Sequence, residues 1–133
     1  MSSSDANTVF ISYSHKDSVW VRETLLPRLR AHAFDILIDT DFKAGAFGLQ
    51  QIEKCVIDCR HVLAVLSPAY MTSDWGTLEN VMAQCLDPAA RARKLVPVLH
   101  KDCILPLRLK TIHYRDLTQP SDEDWERLVQ DLL

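Results

Sequence analysis

HVLAVLS, residues 61–67, decides the fold. The run is apolar without alternation, the mark of a strand covered on both faces in a parallel sheet, and Pro68 ends it. Two further strands are read before it, TVFISYS (8–14) and FDILID (34–39), and two after it, KLVPVLH (94–100) and TIHYRD (111–116). The last is less apolar than the others and belongs at an edge.

Between the strands the spacing becomes helical. Val19, Trp20, Leu25, Leu26 and Leu29 mark a helix over 19–33, where Pro27 is expected to kink or loosen the chain. Leu49, Ile52, Val56 and Cys59 form one stripe over 49–59, and Leu78, Val81, Met82 and Cys85 another over 74–86, with Ser73 or Asp74 as N-cap. Over 121–133, Trp125, Leu128, Val129 and Leu132 face inward behind a capping box of Ser121 and Asp124. TDFKAGAFG (40–48) reads as a loop, DPAARAR (87–93) as a polar connection, and DCILPLRLK (102–110) as too Pro-broken for a helix.

Strand and helix alternating in this way predict an α/β fold: a flavodoxin-like five-stranded parallel sheet, order 2-1-3-4-5, with helices on both faces. Its ligand crevice lies at the carboxyl ends of strands one and three, where the winding reverses. Strand one ends at Tyr13-Ser14-His15. Strand three feeds through Ser67 and Pro68 toward SDWGTLEN (73–80), which places Trp75 and Glu79 four apart at the start of a helix. That pair has two readings. One is an acid near a helix dipole beside a core aromatic; the other is a carboxylate and an aromatic wall in a small-molecule site.

Composition narrows the classes. The 133 residues suffice for a buried core, read as a lead-in over 1–7 and one domain over 8–133. A net charge of −3 and a pI near 5.9 argue against a general nucleic-acid binder. No apolar run reaches the ~18 residues of a membrane span, and MSSSDAN lacks the pattern of a signal peptide. Cys55, Cys59, Cys85 and Cys103 are read as small hydrophobes. The histidines are too scattered to complete a metal site, so no metal is expected.

Several five-stranded relatives are excluded by motif. A phosphate-receiving signalling domain needs an Asp where strand three ends in Leu66-Ser67-Pro68. SHKDS after strand one is neither a P-loop nor a dinucleotide fingerprint, and no GxSxG elbow exists. Ser67 is read as a turn or cap residue rather than a nucleophile.

VFISYSHKD (9–17), AFDILIDTDFKAGAFG (33–48), the segment from Ile52 through RHVLAVLSPAYMTSDW (60–75), Glu79 and KLVPVL (94–99) occur in register over nearly the whole chain from Thr8. Together they resemble a Toll/interleukin-1 receptor (TIR) domain. The resemblance implies one of two functions. Receptor and adaptor members are scaffolds that assemble through the loop after strand two. Bacterial, plant and axonal members cleave NAD at the nicotinamide–ribose bond with a glutamate on the helix after strand three, and SPAYMTSDW (67–75) is similar in style to the bacterial and axonal type. Glu79 stands at the position of that glutamate. Ala44-Gly45 replaces a common Pro-Gly, and Gly76 stands where Cys is common; neither removes a group that the chemistry needs.

The resemblance therefore implies Glu79 as catalytic residue, and Tyr13, Ser14, His15, Asp39, Lys43, Ala44, Gly45, Phe47 and Trp75 as substrate-binding residues. NAD+ is the substrate, with no cofactor and no metal. Other TIR domains are expected as partners through self-association, tending to filaments, in cytoplasmic defence or cell-death signalling. The alternatives are a non-catalytic TIR scaffold and, more distantly, a nucleotide sensor without turnover.

Overall fold

All five strands are present and parallel in the computed structural model, in the order β2-β1-β3-β4-β5. The structure describes residues 7–38, 48–106, 109 and 113–133. The strands are β1 (Thr8–Ser12), β2 (Asp35–Leu37), β3 (His61–Leu66), β4 (Leu95–Leu99) and β5 (Arg115–Asp116). The apolar run that opens the sequence reading is the central strand: β3 pairs with β1 and β4, and all six of its residues are buried. The edges are short. β5 holds only Arg115 and Asp116 of the expected 111–116, of which 111 and 112 lie outside the described residues. Two bonds from Arg115 to Asp131, of 2.6 and 2.9 Å, tie this edge to the last helix.

The helices are α1 (residues 18–30), α2 (Gly48–Asp58), α3 (Pro68–Ser73), α4 (Trp75–Cys85), α5 (Pro88–Lys94) and α6 (Asp122–Leu132). Period-two alternation sends β1 and β3 side chains to opposite faces. Val9, Ile11, Leu63 and Val65 pack with Val21, Leu25 and Leu29 of α1 and with Trp125, Leu128 and Leu132 of α6. Phe10, Val62, Ala64 and Leu66 pack with Val56 and Cys59 of α2, Tyr70 of α3, and Trp75, Leu78 and Met82 of α4. Two cores thus sandwich the sheet, as the alternation requires.

Pro27 acts as expected, one turn upstream. Residues Val21–Leu25 form a π turn, and Leu26 N–H donates to Val21 O five residues back. The wider turn accommodates a ring that would collide with the carbonyl four residues earlier. Three segments differ from the sequence reading. Of the strand expected over 34–39, the described residues show Asp35–Leu37, and 39 lies outside them. The polar connection over 87–93 is helical: Asp87 caps α5 by accepting from Ala90 N at 2.7 Å, and Pro88 starts it. No residue of α5 is fully buried, so it carried no apolar stripe to detect. The expected helix over 74–86 is preceded by a separate turn of helix, α3. Ser67 caps it by accepting from Tyr70 N at 3.1 Å, and Pro68 occupies its first turn. Pro68 both ends β3 and begins a helix. Asp74 sits at the cap of α4 but makes no side-chain cap bond.

Gly76 lies exposed in the first turn of α4, and a Cβ there would meet nothing within 4 Å. Gly76→Ala is expected to stabilise the fold by up to about 1 kcal/mol. A rise in melting temperature checks this; a fall would reveal a need for glycine that the packing does not show. Among the described residues, no helix is long and apolar enough to cross a membrane.

Candidate functional site

From the β1–β3 pair the sheet is wound outward in both directions, toward β2 on one side and β4 on the other. The carboxyl ends of β1 and β3 therefore flank the switch-point crevice. At that rim Ser12 Oγ and the Tyr70 hydroxyl are hydrogen-bonded at 2.8 Å. Tyr70 is fully buried, and burial pushes its phenol well above the ordinary tyrosine range, so it stays neutral. The Trp75 ring tilts against Tyr70 with centroids 6.4 Å apart. Ser12, Tyr70 and Trp75 thus form a contact chain from the sheet into α4. Glu79 follows one helical turn later, about 6 Å along the axis at 1.5 Å per residue. It is partly buried.

The other candidates divide. Tyr13, expected to face the crevice, instead continues the side of β1 that carries Val9 and Ile11, and is buried in the core under α1 and α6. Ser14 is also buried; its Oγ accepts from Lys16 N at 3.3 Å and caps the short turn His15–Asp17. His15 is exposed. Trp75, at 7% exposed, is a core side chain with one edge at the surface. Asp39, Lys43, Ala44, Gly45 and Phe47 lie outside the described residues.

A buried polar cluster beside this rim had no place in the sequence reading. Asp17 is 3% exposed and accepts a 2.5 Å hydrogen bond from Ser67 Oγ. His100 Nε2 stands 3.8 Å from the other oxygen of Asp17, and its ring stacks on Trp20 with centroids 4.0 Å apart. The N–H groups of His100 and Lys101 both donate to Leu66 O. The cluster joins the ends of β1, β3 and β4. Ser67 therefore has the cap role read from the sequence: its proton is committed to a carboxylate and its lone pair to a backbone N–H, with no histidine placed as base. The legible signal was positional, since Asp17, Ser67 and His100 all follow strand ends at the rim that the switch-point rule singles out.

Burial lowers the pKa of His100, against the pull of Asp17, and burial lowers His61 with help from Arg60. A histidine with a lowered folded pKa binds protons more readily when unfolded. Stability is then fully present above the unfolded pKa of about 6.5 and is lost as pH falls toward the folded values. Melting temperature is expected to drop on acidification through this window, less so in His100→Asn. A melting temperature that rises on acidification would contradict the assignment.

A groove of about 710 Å³ lies on the opposite face between α1 and α6, lined by Arg28, His32, Arg115 and Trp125 among others; it shares no residue with the β1–β3 rim. Among the described residues, no group of three His, Cys, Asp or Glu side chains is placed to hold a metal ion. Cys55 and Cys59 are buried outside any disulfide, and their mutual hydrogen bond, followed by burial, drives the Cys59 pKa upward, which suits packing rather than reactivity.

A family model described as "TIR domain" matches residues 9–133. Among curated proteins, Toll-like receptor 6 of Bos taurus is 36% identical over 67 residues, 50% of this chain and 8% of that protein. Protein toll of Drosophila melanogaster is 34% identical over 73 residues, 53% of this chain and 7% of that protein. The chain thus matches less than a tenth of the length of these relatives. Among solved structures, the TIR domain of the Toll-related receptor TRR-2 from Hydra magnipapillata superposes with a TM-score of 0.78 at 20% identity, covering 93% of this chain and 96% of that one. A metazoan TIR-STING receptor from C. gigas, in complex with 2',3'-cGAMP, also gives 0.78 at 24% identity, covering 99% of this chain and 41% of that one. At these identities the structural likenesses speak for the fold.

Proposed function

This chain belongs to the TIR domain family, and from that premise we propose that it is an NAD+ glycohydrolase activated by self-association. The observation that carries the reading is Glu79, partly buried on α4 and one turn beyond Trp75, whose ring contacts Tyr70 at the β1 rim. Nicotinamide leaves NAD+ as a neutral pyridine, so the second carboxylate that glycosidases use as acid is dispensable. The remaining demand is an anion close to the oxocarbenium-like ribose, shielded from water. Glu79 supplies the charge. Attack by water gives ADP-ribose; attack by a nucleophile of the same nucleotide gives a cyclic isomer.

Trp75 acts from beneath, fixing the first turn of α4 against Tyr70 and presenting one edge to the substrate. His15 borders the opening, with Tyr13 and Ser14 holding its turn in place. The segment with Asp39, Lys43, Ala44, Gly45 and Phe47 closes over the nucleotide or docks on a neighbouring subunit. In a head-to-tail arrangement that contact repeats into filaments. The setting is cytoplasmic defence or cell-death signalling. Specific activity in nicotinamide release should therefore climb steeply with protein concentration, and Phe47→Ala should flatten the climb without changing the monomer's melting temperature. Constant specific activity from nanomolar to high micromolar protein, with the species monomeric throughout, would overturn the assembly part of the reading. A second reading, a scaffold that recruits other TIR domains without chemistry, is favoured by the receptor names among the sequence relatives.

A further inference from the structure

At the amino end of the sheet, opposite the Glu79 rim, a cavity of about 420 Å³ is lined by Asp58, Cys59, Arg60, His61, Arg93 and Lys94. Three cations face one carboxylate there, in a chain whose net charge is −3. The cations come from two places in the fold: Arg60 precedes β3, and Arg93 and Lys94 end α5. Lys94 Nζ donates to Val56 O at 3.0 Å and Ile57 O at 2.7 Å, which neutralises the negative end of α2 and removes its objection to an anion nearby.

The second observation is an unpartnered buried nitrogen. His61 is 9% exposed and lines this cavity, and its Nδ1 is buried without a hydrogen-bond partner. Arg91 Nε, in the same last turn of α5, is likewise buried and unpartnered. Buried polar atoms in folded chains are nearly all satisfied, so an unpartnered one calls for an explanation. The charged groups acting on His61 are Arg60 and Lys94, which disfavour its protonation, and Asp131 from α6, which favours it. An anion would tip that balance toward the imidazolium.

We propose that this cavity is a binding site for a phosphate group, held by Arg60, Arg93, Lys94 and His61. Arginine forks and a lysine point charge match the oxygens of a phosphate dianion, and histidine supplies a further N–H. The site is independent of Glu79, lies at the opposite end of the strands, and suits a small phosphorylated ligand by volume.

The test uses inorganic phosphate as probe, with chloride and acetate at matched ionic strength. The readouts are the imidazole nitrogen shifts of His61 and the melting temperature. Phosphate should shift the His61 nitrogens saturably and raise the melting temperature, and acetate should do neither to the same extent. Arg93→Gln, an exposed change that the fold tolerates, should weaken phosphate binding about tenfold, the loss expected for one charge-assisted bond. Arg28→Gln on the α1–α6 face should leave it unchanged. The proposal is overturned if phosphate and chloride act alike, if acetate matches phosphate, or if Arg93→Gln responds as the parent does.

Discussion

Replacing Glu79 by Gln is expected to cut nicotinamide release from NAD+ by about 10²-fold or more, the usual cost of removing one preorganised group that stabilises transition-state charge. Gln conserves the length, planarity and hydrogen-bonding reach of the side chain and removes only its charge. The residue is partly buried, and the core contacts of α4 are made by Trp75, Leu78, Val81 and Met82, so the melting temperature should move far less than the turnover. That combination separates chemistry from folding. Parent-like turnover by the Gln variant would remove Glu79 from the mechanism, leaving it the solvated helix acid that its spacing equally allows.

Trp75→Ala should have the largest effect on stability. The ring is 7% exposed, lies in the core between the sheet and α2–α4, and contacts Tyr70, which in turn anchors to Ser12 of β1. Truncation of a buried aromatic costs about 3–5 kcal/mol, a large share of the 5–15 kcal/mol that typically holds a domain together. Trp75→Phe should recover much of it. Denaturant melts beside activity measurements decide how the residue works. If Trp75→Ala melts like the parent yet turns over poorly, the ring binds substrate and its packing is secondary.

The central strand, the sheet order and the helices on both faces were legible because burial on two faces writes itself as an apolar run, and burial on one face as a periodic stripe. Residues 61–67 and the stripes of α2, α4 and α6 are of this kind. Helix α5 was not legible, because it buries no side chain completely and its cap and proline look the same in a loop. Tyr13 was read as facing the crevice because it closes strand one, but the alternation that carries Val9 and Ile11 puts it in the core with α1 and α6. The Asp17–Ser67–His100 cluster joins residues tens of positions apart, and no local pattern signals a contact of that separation. Glu79 was singled out only through its family position; its helical angle alone fits a surface acid as well as a catalytic one.

The most direct test of the central claim is a product balance on the parent chain. High-micromolar protein is incubated with NAD+, nicotinamide and the ADP-ribose product are quantified together, and the assembly state of the same sample is recorded. The account predicts nicotinamide in equal amount to ADP-ribose or its cyclic isomer, appearing as the chain assembles. Assembled protein that leaves NAD+ intact would contradict it and make the chain a scaffold.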